Sequence, residues 1–199
     1  MEFADVVRRR RMRRNFRPDP VGSDVVDHLL DAGRRAPSAG WAQGTEFLVL
    51  EGAAQTDRFW ACTFTPESRA RFGWPGLFHA PVLIIPMARA EAYLERYAEG
   101  DKAAAGLGEG EHRWPVPYWI ADAAMASENI LLAAVDEGLG ALFFGIFHGE
   151  QAVLEEFGVA PGYQPIGAIA VGHHLEDDPG RSSSRSRRTL DDIVHRGAW

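Results

Sequence analysis

The feature that most constrains the fold of this chain is one long apolar segment, residues 118–137. Its large apolar side chains are interleaved with small residues on nearly every face of a helical projection. A helix that is apolar all round is buried inside a domain and does not lie on its surface. Other elements must therefore surround this segment, and we expect it to form a central, buried helix.

Shorter elements on both sides of this segment can cover it. Apolar runs predict four strands, at residues 47–50, 81–86, 141–144 and 165–171. Helices are predicted at residues 2–11, 23–35, 57–64 and 151–157, the second with Ser23 as its N-cap. Strands separated by helices, around one long apolar helix, predict a mixed α+β fold or an α/β sandwich.

Two segments lack a regular pattern. Residues 100–117 are rich in Gly, Glu and Trp and predict a long loop or lid, and residues 177–186 have the composition of a linker. Leu190, Ile193 and Val194 then predict a last helical turn. No internal repeat is found, and a chain of 199 residues of which 46% are hydrophobic can bury one sizeable core. We expect a single domain over residues 1–199.

Composition narrows the classes of function. No run approaches the roughly 18 consecutive apolar residues of a membrane-spanning helix, and Cys62 is the only cysteine. We therefore expect no membrane insertion, no secretion and a cytoplasmic location. The histidines form no helical pair with metal-ligand spacing, and no serine has the context of a nucleophile elbow. We predict no metal site and no catalytic side chain, so in an enzyme a cofactor would carry the reaction.

Positive charge is concentrated near both ends of the chain, although the net charge is −7. One basic segment contains Arg10, Arg11 and Arg14, and the other contains Arg185, Arg187 and Arg188. If the termini meet, these guanidinium groups can clasp one phosphate, and otherwise they are two solvated segments. Nucleic-acid binding fits poorly with a pI of about 5.5 and with the lack of interleaved aromatic residues.

Five segments resemble those of the FMN-dependent nitroreductase family, in the same order. Residues 10–16 (RRMRRNF) resemble the family's opening motif Arg-Arg-Ser-x-Arg-x-Phe. Residues 36–43 (APSAGWAQ) resemble its Ala-Pro-Ser-x-x-Asn-x-Gln loop. Residues 138–145, 165–172 and 187–194 are similar to later family segments. The resemblance thus spans nearly the whole chain.

This resemblance implies a nitroreductase-like fold, with a mixed central sheet flanked by helices, in an intertwined homodimer. Each of its two FMN sites is then built from both subunits. Within a site, the resemblance implies that Arg10 and Arg14, with Arg185 and Arg187, hold the phosphate and ribityl end, while Arg11 lies against the isoalloxazine edge. The other implied cofactor contacts are Pro37, Ser38 and Ala39, contributed from the partner subunit, Gln43 of the same loop, and Phe144 and Gly145 near the flavin N5.

The chain also departs from the family pattern. Met12 stands where the motif has serine, and Trp41 stands where it has asparagine. We predict that Trp41, Trp114 and Tyr118 line the substrate side of the flavin. The alternative for Trp41 is that it fills the core, and the alternative for Tyr118 is that it anchors the central helix.

The function that follows from the resemblance is an oxidoreductase that passes hydride from NADH or NADPH through FMN to an electron-poor acceptor, such as a nitroaromatic or quinone. A flavin-modifying or deazaflavin-dependent enzyme of the same fold is an alternative. A flavin-binding or sequestering protein without turnover is another, motivated by Met12 and Trp41. We expect no nucleic-acid and no membrane partner.

Overall fold

The long apolar segment forms the longest helix of the structure, a computed structural model that describes residues 1–176 and 184–199. This helix, α6, spans Tyr118–Asp136 and is buried along much of its length, which confirms the prediction. The described residues form six further helices: α1 (Phe3–Arg9), α2 (Ser23–Arg34), α3 (Ala53–Thr63), α4 (Pro66–Ala70), α5 (Ala90–Ala98) and α7 (Glu150–Glu156).

The described residues contain one sheet of five strands: β1 (Thr45–Glu51), β2 (Val82–Arg89), β3 (Gly140–Phe144), β4 (Tyr163–Pro165) and β5 (Ala168–Gly172). The strand order is β1-β2-β5-β3, and β4 also pairs with β2. Every pairing among these strands is antiparallel. A parallel bridge between Met12 and Ala141 extends the sheet beyond β3, so the predicted mixed character is limited to this edge.

Strand β2 divides the core into two layers. Leu83 and Ile85 pack on one face of the sheet, in a cluster with Trp60 of α3. Val82 and Ile84 pack on the other face, with α6 and α2. Side chains of a strand alternate between faces, so a strand covered on both faces is apolar at every position. Helices therefore lie on both faces of the sheet, as the predicted α/β sandwich requires.

Three sequence-based predictions of element bounds need correction. Ser23 is the first residue of α2, and Gly22 takes the N-cap position without a side-chain hydrogen bond. The strand predicted at residues 165–171 is two strands, separated at Gly167, where φ is 148°. This positive φ favours glycine. Both strands pair antiparallel with β2, and the register shifts by one residue between them, so Gly167 lies at an irregularity in one strand direction. Helices α4 and α5 were not predicted at all.

Residues 100–117 are more ordered than the predicted loop. They contain three short 3₁₀ turns, and Trp114 at their end is only 8% exposed. Its indole Nε1 donates to the Leu107 carbonyl at 2.9 Å, and its ring lies edge-on to Tyr93 and Tyr97. The segment is thus packed against α5 by its own aromatic residue.

The C-terminal segment carries exposed apolar side chains. Leu190 is 74% exposed, and the Ile193 and Val194 amides donate to the Leu190 carbonyl in a turn. The predicted last helical turn is therefore a single turn. Most of the linker predicted at residues 177–186 lies outside the described residues. No helix in the described ranges has the length and apolar character needed to cross a membrane.

Candidate functional site

The chain is extended around Met12 and Arg13, at the open edge of the sheet beside β3. This extended segment separates the N-terminal arginines from one another. The Arg13 amide donates to the Ala141 carbonyl at 2.9 Å, and Met12 forms the parallel bridge to the same residue. Alternate side chains of an extended segment point to opposite sides. The arginines of this region therefore reach different cavities and do not form one cluster.

Arg14 reaches a cavity of about 340 Å³, which we call the aromatic cavity. Phe144 and Gly145, at the end of β3, line the same cavity. The structure thus brings three predicted cofactor-binding residues together. The remaining walls are mostly aromatic: Trp60, Phe64, Phe72, Trp74 and Phe147.

The aromatic rings of this cavity have defined contacts. Trp60 is fully buried and stacks on Phe144, with ring centroids 5.6 Å apart and an interplanar angle of 17°. The Arg14 guanidinium carbon lies 5.3 Å from the centre of the Trp74 ring. A cation over an aromatic face is attracted by the ring quadrupole, so Trp74 helps to orient Arg14. The cavity therefore combines flat apolar walls with one oriented positive charge.

Gly145 lies where the chain passes close to an exposed ring. A Cβ atom added there would lie 2.9 Å from the Phe147 ring, which is tighter than ordinary packing. Phe147 itself is 86% exposed. The absence of a side chain at Gly145 lets the Phe147 ring lie close to the backbone in the lining of the aromatic cavity.

Arg11 lies in a second cavity of about 260 Å³, the basic cavity. Its lining includes Arg9, Arg13 and His174, and none of the described residues that line it is a carboxylate. The Arg11 side chain donates to the carbonyls of Arg8 and Arg10. This arrangement places Arg11 apart from the lining of the aromatic cavity and concentrates positive charge that suits an anion.

Arg10 packs toward the central helix. Its Nε lies 3.4 Å from Oε1 of Glu128 on α6, and this nitrogen is buried without a hydrogen bond among the described residues. Arg185 and Arg187 are exposed, and the described contacts do not join them to Arg10 or Arg14. The predicted meeting of the two basic segments therefore stays a prediction.

The loop at residues 37–43 is held at several points of its backbone. The Ala39 amide donates to Oδ2 of Asp122 at 2.8 Å, and the Gln43 amide donates to the Ser38 hydroxyl at 3.1 Å. Arg96 Nε donates to the Gly40 carbonyl at 2.8 Å. Pro37, Ser38, Gln43 and Trp41 also line one small cavity beside Asp122.

The three predicted substrate-side aromatic residues have different environments. Trp41 is 69% exposed, which excludes a core-filling role within this chain. Tyr118 is 42% exposed, at the first turn of α6, and its ring lies 5.9 Å from that of Trp114. Trp114 is buried, so in this chain it supports Tyr118 and leaves little of its own surface for a ligand.

The sequence of this chain matches the model of one protein family over most of its length. The model of the nitroreductase family matches residues 7–173. This chain belongs to the nitroreductase family. The match covers the N-terminal arginines, the loop at residues 37–43 and the end of β3, and it ends just before His174 of the basic cavity.

Individual relatives of this nitroreductase-family chain are distant. An "NADPH-dependent oxidoreductase" from Staphylococcus aureus is 26% identical, over 98% of this chain and 73% of the relative. A nitroreductase solved in complex with FMN, from Desulfovibrio desulfuricans, is 26% identical with a TM-score of 0.68, over 98% of this chain and 95% of the other. A nitroreductase-like protein from Streptococcus mutans shares the fold, with a TM-score of 0.77 at 15% identity over 98% and 97% of the two chains.

Several residues of this site were missed by sequence reasoning. Arg13 and His174 of the basic cavity carried a signal, because alternation along an extended segment groups Arg13 with Arg11. Asp122 also carried a signal, as a carboxylate on an otherwise apolar helix. Trp60 and Trp74 carried none, since only the folded chain brings them beside Phe144 and Arg14.

Proposed function

We propose that this nitroreductase-family chain binds FMN and passes hydride from NADH or NADPH to an electron-poor acceptor of the nitroaromatic or quinone class. The observation that carries the proposal is the aromatic cavity, in which Arg14, Phe144 and Gly145 converge. The name of the S. aureus relative favours NADPH as the donor, and the D. desulfuricans complex favours FMN as the cofactor.

The residues present fit such a cofactor. A volume of about 340 Å³ lies within the usual range of roughly 300–1,000 Å³ for ligand pockets. Its aromatic walls suit a flat ring system, and the guanidinium of Arg14 suits the electron-rich edge of such a ring. The buried Arg10 Nε, without a hydrogen bond among the described residues, leaves donor capacity near this edge of the sheet.

The basic cavity suits an anionic group. Arg9, Arg11 and Arg13 line it, with no carboxylate among its described lining residues, and guanidinium groups bind phosphate through paired hydrogen bonds. We therefore assign Arg11 to an anionic group in preference to the isoalloxazine edge. Arg10, with Arg185 and Arg187, remains our assignment for the phosphate and ribityl end, whereas we now assign Arg14 to the ring edge, because it lines the aromatic cavity.

A homodimer would complete the site. Phe3, Trp41 and Leu190 are each more than two-thirds exposed, at 72%, 69% and 74%. A contiguous patch of exposed apolar side chains is typical of a surface that another chain covers, and we propose that these three side chains belong to such a patch. In an intertwined dimer, Pro37, Ser38, Ala39 and Gln43 would meet the flavin bound mainly by the partner subunit. Light scattering should give the mass of a dimer at micromolar concentration, and a monomer would refute the shared site.

Bound FMN would supply reversible hydride uptake, and the side chains of this chain would bind, orient and shield it. Arg14, oriented by Trp74, would hold the ring edge. Gly145, at the end of β3, would donate a hydrogen bond from its backbone amide. Trp41 and Tyr118 would face the acceptor, and exposed aromatic faces suit a flat, electron-poor molecule.

Anaerobic reduction tests the proposed reaction. The flavin-loaded protein should lose its absorption near 450 nm when NADPH or NADH is added, and recover it when a nitroaromatic or a quinone follows. Arg14→Leu should weaken FMN binding by about tenfold or more, because it removes a charged hydrogen-bond donor. Arg17→Leu is the matched control, since Arg17 pairs with Asp19 outside the aromatic cavity. Bound FMN that neither nucleotide reduces would overturn the proposed reaction.

A further inference from the structure

Helix α6 carries a buried carboxylate that the binding and reducing chemistry described above does not use. Asp122 is 2% exposed, on a helix whose other buried residues are almost all apolar. No arginine, lysine or histidine of the described residues forms an ion pair with it. A buried carboxylate is unfavourable unless hydrogen bonds satisfy it.

Two donors meet on one oxygen of this carboxylate. The Tyr93 hydroxyl donates to Oδ2 at 2.7 Å, and the Ala39 amide donates to the same atom at 2.8 Å. Tyr93 is fully buried, and burial together with its bond to Asp122 holds the pKa of its phenol well above the usual range. The phenol therefore keeps its proton and remains a donor. Asp122 thus ties helix α5 and the loop at residues 37–43 to helix α6.

The loop that receives this hydrogen bond has an unfavourable backbone. Gly40, Trp41 and Gln43 all have positive φ, at 61°, 62° and 52°. Residues other than glycine rarely adopt this left-handed region, and they persist there only where surrounding contacts impose it. The bond to Ala39 lies immediately before these residues. Its loss would release the loop toward more populated conformations.

We propose that Asp122 is a positioning residue, which holds the Ala39 amide and thereby keeps the loop at residues 37–43 in the shape that meets the flavin of the partner subunit. The inference rests on the proposed function, because it takes the loop to be a flavin contact. Arg96, which donates to the Gly40 carbonyl, supports the same loop from α5.

Hydrogen exchange of the wild-type protein gives the first test. The Ala39 amide should exchange about as slowly as the buried amides of α6, because its hydrogen bond is made to a buried acceptor. Exchange at the rate of an exposed turn would overturn the proposal. This measurement depends on no variant and on no bound flavin.

Three variants give the second test. Asp122→Ala removes both hydrogen bonds. It should speed hydrogen exchange at residues 39–43 by about tenfold or more, and it should also weaken FMN binding by about tenfold or more. Asp122→Asn keeps an oxygen that accepts from both donors, and should bind FMN within a few-fold of wild type. Ser127→Ala is the matched control, since Ser127 is a buried polar residue of the same helix whose hydroxyl donates to the Ala123 carbonyl of that helix.

The outcomes separate this proposal from the proposed function. If the wild type binds FMN and Asp122→Ala binds it as tightly as Ser127→Ala does, Asp122 has no positioning role and the flavin assignment stands. If the wild type binds no FMN, the proposed function fails, and the flavin part of this inference fails with it. Three results together support the proposal: the Ala39 amide exchanges slowly in the wild type, Asp122→Ala loses both this protection and FMN affinity, and Asp122→Asn retains FMN affinity.

Discussion

Trp60 offers a quantitative test of the wall of the aromatic cavity. It is fully buried, stacks on Phe144, and has edge contacts to Phe59 and Phe78 at centroid distances of 5.0 and 5.1 Å. Its indole Nε1 is also buried without a hydrogen bond among the described residues. The residue thus combines strong packing with an unsatisfied polar group, and two substitutions separate these effects.

Trp60→Ala removes the packing and the polar group together. Truncating a buried Trp costs about 3–5 kcal/mol of unfolding free energy. For a chain of this size each kcal/mol corresponds to roughly 2–4 °C in Tm. We expect the Tm to fall by about 6–20 °C.

Trp60→Phe keeps one ring and removes the unpaired N–H. The lost apolar area costs about 1–2 kcal/mol, whereas relief of a buried unpaired donor gains about 1–3 kcal/mol. The two nearly offset, so we expect a Tm between about 4 °C below and about 8 °C above that of the wild type. Phe59→Leu is the matched control, because Phe59 is equally buried on the same helix and has no polar atom.

The assay is thermal unfolding of the flavin-free protein at one fixed protein concentration. Both conditions are needed because ligand binding and subunit association each raise the apparent Tm. A Trp60→Phe variant as unstable as Trp60→Ala would refute the reasoning, since it would mean that the indole N–H is satisfied in the folded protein.

Two further predictions concern backbone strain and a thiol. In a denaturant titration, Gly167→Ala should lower the unfolding free energy by about 1–3 kcal/mol. The reason is that φ is 148° and the new Cβ would lie 2.7 Å from the Phe144 carbonyl oxygen. Gly73→Ala is the control and should leave the unfolding free energy unchanged, because a Cβ at Gly73 would meet open space. Burial and the nearby Glu156 raise the pKa of the Cys62 thiol. A smaller fraction of this thiol is therefore ionised at pH 7 in the folded protein than in the urea-unfolded chain, and its alkylation should be slower in the folded protein. Equal rates would contradict this.

The sequence predicted elements whose apolar pattern is strong and local. Helix α6 was predicted with its first residue correct, because apolar and small residues occupy nearly every face of this segment, and such a helix must be buried. Strand β2 was predicted from a run that is buried on both faces. Helix α5 was missed because it buries only Tyr93 and presents charged residues elsewhere. Such a helix depends on one tertiary contact, which periodicity does not reveal.

The sequence predicted one group of cofactor-binding residues and did not predict that some of them line separate cavities. Arg14, Phe144 and Gly145 do converge on one cavity. Arg11 lines another cavity, since the bridge at Met12 makes this segment extended and directs neighbouring side chains apart. That bridge joins residues more than a hundred positions apart. Pairing over such a distance is decided by the packing of the whole sheet, and no local pattern contains it.

Titration of the flavin-free protein with FMN tests the central claim most directly. Quenching of flavin fluorescence should report a dissociation constant in the micromolar range or below, at one FMN per chain. The bound flavin should show shifted absorption bands near 375 and 450 nm. Fluorescence that stays unchanged at FMN concentrations well above micromolar would contradict the claim that this chain builds a flavin site around its aromatic cavity.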